Sequence, residues 1–241
     1  MDCDRFLSVA DASRLAVTLR RLSRHDISGW ALTGGIAIEL HIQRCGGAVG
    51  LRLLHDVDFV ADSFERIPAS LGDELLMRHV HPHDLPGKTM LQGVDPKTSV
   101  RVDVFRAYGL EIERVSLIEL AGVVLGMVSL QDILARHARL NWDFVEGKRV
   151  AAKYARDFLR LVELVATNEM EKIWQEHRKP QSPESFAATV GELRRLIGLR
   201  PDLLVGPTYS TDADEVCPRC HETETLRLAD AREIVSHLGY C

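Results

Sequence analysis

Long apolar runs are missing from this chain. No stretch approaches the ~18–20 residues of a membrane span, so no membrane partner is expected. The opening MDCDRFLSVADASRL carries acids early and lacks the apolar segment of a secretory leader. An excess of positive charge is missing too. Thirty Lys and Arg stand against 35 Asp and Glu, and the net charge of −5 excludes a global basic field for nucleic acid, though not a local patch. Cysteine is scarce, with five in 241 residues, and three of them (Cys217, Cys220 and Cys241) crowd into the last 25. Together these absences point to a cytoplasmic protein, where disulfides are rare. There is no internal repeat and no low-complexity segment. At 46% hydrophobic and 27% charged, the composition suits one large globular domain or two small ones.

Periodicity divides the chain. DASRLAVTLRRLSRHD (11–26) places Leu15, Leu19 and Leu22 at helical spacing. GWALTGG reads as a short strand ending at Gly34-Gly35, and IAIELHIQRC as a helix stopped by GGAVG. HDVDFVAD is the next strand. SFERIPASLGDELL is expected to be helical, with Pro68 as a boundary or kink. MRHVHPHD and KTMLQGVD are expected strands around a Pro/Gly turn, SVRVDVFRAYG is an alternating strand, and IERVSLIELAGVVLGMVS holds one or two more. From Ser129, where Ser129 and Asp132 fit a capping box, the pattern turns helical: LQDILARHARLNWDFVEG, RVAAKYARDFLRLVELVAT, EMEKIWQEHRK and PESFAATVGELRRLIGL. A linker rich in Pro, Gly and polar residues leads to the cysteine-rich end. The expected class is α+β, with a small mixed sheet and helices over 1–128, a helical region over 129–200, and a linker with a short tail module over 201–241.

Two carboxylates stand out. In a strand, residues i and i+2 share a face, so Asp56 and Asp58 lie side by side, about 6–7 Å apart at the backbone. Anions this close repel unless a positive charge lies between them, and a hard cation such as Mg²⁺ or Mn²⁺ suits all-oxygen ligation. Asp103 in VRVDVF is a third candidate, although it could instead pair with Arg101 or Arg106. Three carboxylates on adjacent strands could hold the metals of a phosphoryl or nucleotidyl transfer. Gly34 and Gly35 follow a strand and open a helix, where free N–H groups attract phosphate, with Thr33 as a further donor.

The ordered set of strand, Gly-Gly and helix, then an apolar-flanked D-x-D, then a later apolar-flanked Asp, resembles the nucleotidyltransferase superfamily with its polymerase-beta-like palm. The nearest likeness is to the branch of abortive-infection type II toxins, a toxin–antitoxin context. LTGGIA (32–37) is similar to that branch's glycine segment, and RLLHDVD (52–58) to its acid segment, with Arg52 four residues before Asp56. KYARDFLRLVEL is similar to its later helix, keeping Lys153, Arg156 and Asp157 but carrying Arg160 where relatives have Asp. Ile36 and Leu54 stand where the branch has hydroxyl residues. The resemblance covers roughly residues 28–165. It implies Asp56, Asp58 and Asp103 as catalytic metal ligands, Gly34 and Gly35 lining a triphosphate site with Arg52, and Lys153 as a phosphate contact. Lys153 and Arg156 could equally belong to a solvated helix face.

The tail reads C-x2-C-x16-H-x3-C. Cys217 and Cys220 on a knuckle, with His237 and Cys241 four apart on a helix turn, give a Cys₃His set for structural Zn²⁺. The expected function is Mg²⁺-dependent transfer of a nucleoside monophosphate from an NTP to a hydroxyl on a small molecule, a protein or RNA. The alternative is an inactive protein of the same fold that binds a partner through its groove or zinc tail.

Overall fold

Four buried residues, Trp30–Thr33, form strand β1, and Asp56–Ala61 form β2 beside it. The structure, a computed structural model, describes residues 3–63, 67–80 and 90–206, with backbone alone for 77–80. Strands β3 (Leu76–Val80), β4 (Met90–Asp95), β5 (Val100–Arg106), β6 (Ser116–Leu120) and β7 (Val123–Met127) complete a seven-stranded mixed sheet in the order β3-β4-β5-β2-β1-β7-β6. β2 pairs with β5 and β1 with β7 in parallel, and the other pairings are antiparallel. The class is the expected α+β.

Strand alternation makes two unlike faces. Val57 and Phe59 of β2, and Val100, Val102 and Val104 of β5, are all but fully buried in the main apolar cluster. The opposite face of the same strands carries Asp56, Asp58, Arg101 and Asp103. β6 and β7 form a hairpin whose two loop residues, Ala121 and Gly122, both have positive φ, as a two-residue turn of this twist requires.

The helices follow the sequence closely. They are α1 (Val9–Leu22), α2 (Gly34–Arg44), α3 (Leu130–Asn141), α4 (Ala152–Val162), α5 (Glu171–His177) and α6 (Phe186–Leu199). Ser8, Ser129 and Ser185 cap α1, α3 and α6 by accepting a backbone N–H three residues on, the usual reason for Ser at that position. The capping box at α3 is only half formed. The Asp132 carboxylate does not reach back to the Ser129 backbone. It accepts two hydrogen bonds from Arg114 (2.6 and 2.9 Å), one from His177 (3.0 Å) and one from the Ser129 hydroxyl (2.5 Å). These hydrogen bonds outweigh the upward push of burial and hold its pKa at about 2. Of the helix expected over 63–76, residues 64–66 lie outside the described residues, and past Pro68, which is extended, the chain forms a short 3₁₀ turn, Ala69–Asp73. The linker begins less loosely than its composition suggests: Leu204–Val205 (β9) pairs in parallel with Val150–Ala151 (β8) just ahead of α4.

Candidate functional site

The register of the sheet assembles the site. Thr33 lies opposite Asp58, Asp58 opposite Asp103, and Asp103 opposite Gln92, so one row of paired residues crosses β1, β2, β5 and β4. Paired residues share a face and neighbouring strands are about 4.8 Å apart, so the row places a hydroxyl, two carboxylates and an amide side by side. The next row pairs Asp56 with Arg101. Asp56, Asp58 and Asp103 each offer a carboxylate oxygen within 4.8 Å of the others, and among the described residues they form the one acidic or thiol-imidazole group able to hold a metal ion.

Electrostatics mark the cluster as unsettled. Burial, and then the charges of Asp56 and Asp103, push the Asp58 carboxyl well above its ordinary range. Among the described residues, no hydrogen bond or ion pair reaches the Asp58 carboxylate. Asp103 is pushed up by burial, opposed by Arg101 and by a hydrogen bond from the Gln92 amide at 2.9 Å. Arg101 donates from Nε to Asp103 Oδ2 (3.0 Å) and from Nη2 to Asp56 Oδ2 (2.5 Å). The alternative pairing of Asp103 with Arg101 is therefore present, together with the clustering. It does not replace it.

The glycine turn presses directly on the acids. Gly34 has φ +65°, and a Cβ there would stand 1.9 Å from Oδ2 of Asp58. Both facts demand glycine. Thr33 sits at the N-cap of α2, yet its side chain makes no capping bond, and its buried Oγ1 has no hydrogen-bond partner. The first turn of α2 carries no acid. The start of α2 thus presents backbone donors and a buried, unused hydroxyl beside the carboxylates, a set suited to anionic oxygens.

Arg52 is brought to this turn but is already engaged. Its Nε donates to Glu39 (2.8 Å) and its Nη2 to Asp157 (2.8 Å), while Nη1 would meet a Cβ on Gly35 at 3.0 Å. Glu39 is fully buried and also accepts from Arg160 through two nitrogens and from the Gly50 N–H. Burial pushes the Glu39 carboxyl up, and bonds from Arg160, Gly50 and Arg52 more than reverse that. The network ties α2, the segment before β2 and α4 together. In it Arg160 is the second cation on Glu39. Lys153, in the first turn of α4, adds a positive field at Asp58, and its ammonium lies 5.2 Å from the centre of the Tyr154 ring.

Ile36 and Leu54, the two departures from the hydroxyl pattern, are both buried in the main apolar cluster. Cys217, Cys220, His237 and Cys241 lie outside the described residues. Reading the sequence alone missed Gln92, Glu39 and the bridging geometry of Arg101. Arg101 carried a signal, since it stands two residues before Asp103 in a strand. Gln92 and Glu39 carried none, because their partners are set by strand register and helix docking.

No protein-family model matches the sequence, and no curated protein does either. Solved structures show a remote likeness. An antigenic nucleotidyltransferase-like protein from Paracoccidioides brasiliensis is 18% identical, with 86% of this chain and 98% of that one covered and a TM-score of 0.45. A lincosamide antibiotic adenylyltransferase with lincomycin bound is 11% identical, covering 66% and 99%, at 0.38. A protein from Helicobacter pylori is 14% identical, covering 78% and 93%, at 0.36. Likeness at this level fixes neither substrate nor reaction. Among the described residues, no helix is long and apolar enough to cross a membrane.

Proposed function

We propose that the protein is a nucleotidyltransferase that moves a nucleoside monophosphate from an NTP to a hydroxyl acceptor. The observation that carries this reading is the convergence of Asp56, Asp58 and Asp103 beside the open N-terminus of α2. The donor set is all carboxylate oxygen, and Asp58 has no other partner among the described residues, which fits a hard divalent cation held by these three residues. Mg²⁺ or Mn²⁺ bound there supplies charge neutralisation and Lewis acidity for transfer.

The chain's own residues do the rest. The backbone N–H groups that follow Thr33, with the free Thr33 hydroxyl, receive phosphate oxygens of the nucleotide. Gly34 allows that approach because it has no side chain to collide with Asp58. Lys153 brings positive charge to the same space, and α4 is held in place for this by Arg160 and Asp157 through Glu39 and Arg52. Gln92 fixes Oδ1 of Asp103 and so orients Oδ2 toward the cluster. In the transfer a bond forms between the acceptor oxygen and the α-phosphorus, the bond to pyrophosphate breaks, and the acceptor's proton passes to a carboxylate of the cluster.

Isothermal titration with Mg²⁺ and each NTP tests the reading. Wild type is expected to bind at least one NTP, and the double variant Asp56→Ala/Asp58→Ala to bind it at least tenfold more weakly. Absence of binding to wild type, or equal binding by the double variant, would overturn the proposal.

A further inference from the structure

The positive charge in contact with the carboxylates belongs to the chain itself. Arg101 shares a face of β5 with Asp103 and stands opposite Asp56 in the parallel register. Its guanidinium takes Oδ2 of Asp103 through Nε at 3.0 Å and Oδ2 of Asp56 through Nη2 at 2.5 Å, with Nη2 also 3.0 Å from Asp103 Oδ2. The second oxygen of Asp103, Oδ1, is held by the buried Gln92 amide at 2.9 Å. Oδ2 is therefore the oxygen of Asp103 left for any other cation, and the guanidinium sits on it.

We propose that Arg101 is a resident counter-ion of the triad, and that a divalent cation enters by displacing it from Asp56 Oδ2 and Asp103 Oδ2. The proposal rests on reading the triad as a metal site. A small divalent ion binds carboxylate oxygen at about 2.0–2.1 Å. Bound to these two oxygens, it would crowd a guanidinium whose nitrogens lie 2.5–3.0 Å from the same atoms, and like charges that close repel. Arg101 is free to leave. Its side chain is 27% exposed and that of Asp56 is 23% exposed, so the contact opens to solvent.

Displacement is also favoured by charge. One guanidinium faces three carboxylates, and among the described residues Asp58 is left without a direct partner, whereas a divalent ion brings twice the charge to the same oxygens. Arg101 thus keeps the metal-free site from repelling itself apart and sets the cation concentration at which the site loads. Asp56 and Asp103 are ligands in this scheme, and Arg101 is a positioning residue that acts through them.

Mn²⁺ binding to the full chain, followed by the electron paramagnetic resonance signal of free Mn²⁺, tests this without any turnover. Arg101→Met keeps the length of the stem and removes the charge. It is expected to bind Mn²⁺ at least tenfold tighter than wild type, and addition of Asp103→Asn to abolish the gain. Should circular dichroism show that Arg101→Met does not fold, Arg101→Gln is measured in its place with the same expectation. Equal or weaker Mn²⁺ affinity in the charge-removed variant, with Asp103→Asn still abolishing binding in wild type, overturns the counter-ion role and leaves the metal site standing. No Mn²⁺ binding by wild type and variant alike overturns both.

Discussion

Gly34→Ala is expected to injure the backbone and the carboxylate cluster together, and the two injuries can be separated. At φ +65° an alanine pays the left-handed penalty, about 1–2 kcal/mol. Its Cβ would also lie 1.9 Å from Oδ2, 2.6 Å from Cγ and 2.7 Å from Cβ of Asp58. No rotation of the Asp58 side chain relieves the last of these distances, so strand β2 or the start of α2 must shift, and overpacking of this kind costs about 1–3 kcal/mol. The total loss in wild type is about 2–5 kcal/mol. In an Asp58→Gly background the overlapping atoms are gone and only the backbone term remains. Urea unfolding of the four proteins in this cycle is expected to return a coupling of about 1–3 kcal/mol between positions 34 and 58. Gly35→Ala is the control. Its φ is not left-handed, and its new Cβ would meet Arg52 at 3.0 Å from Nη1 and at an ordinary 3.5 Å from Cδ and Cζ, so a change within about 1 kcal/mol is expected. Equal costs of Gly34→Ala in both backgrounds would refute the reasoning, because the glycine would then serve the turn alone and not the closeness of the turn to Asp58.

Three more outcomes can be checked. Thr33→Val removes a buried hydroxyl that has no partner. It is expected to leave stability unchanged or raise it by up to about 1 kcal/mol while weakening NTP binding several-fold, and a loss of stability with unchanged affinity would show the hydroxyl to be structural. Glu39→Ala removes the carboxylate shared by Arg52 and Arg160 and leaves both to Asp157, so a loss of about 2–4 kcal/mol in urea unfolding is expected. A loss under about 1 kcal/mol would mean that the network does not anchor α4. Asp132 is fully buried and titrates at about 2 against an ordinary 3.8, so its ionised form contributes about 2 kcal/mol that is present above pH ~4 and disappears as pH falls toward 2. The stability gap between wild type and Asp132→Asn should accordingly shrink over that window, and parallel pH profiles for the two proteins would contradict it.

Much of this protein was legible as a string of residues, because the signals concerned are local. A two-residue period puts Asp56 beside Asp58 and Arg101 beside Asp103 whatever the rest of the chain does. Paired glycines between an apolar strand and an apolar-periodic segment place a backbone turn at a helix start. The helix signal expected at Ser129 acts over three residues and holds in the fold, where its hydroxyl accepts the Asp132 N–H. The helix expected near Pro68 failed for a reason equally local, since Pro68 and Gly72 leave room for little more than one turn.

Tertiary structure alone decided the relations between distant segments. That Asp103 joins Asp58, 45 residues earlier in the chain, follows from β5 lying parallel to β2, and strand order is set by how apolar faces stack and not by either strand's own sequence. The same holds for Gln92, which a one-residue change of register would turn to the other face. It holds again for Glu39, a charge in an apolar-looking helix that becomes tolerable only when α4 docks Arg160 against it and the segment before β2 delivers Arg52. Residue types chose the chemistry of this site. Long-range packing chose which of those residues meet, because a carboxylate's charge, burial and partners are properties of its neighbours in space.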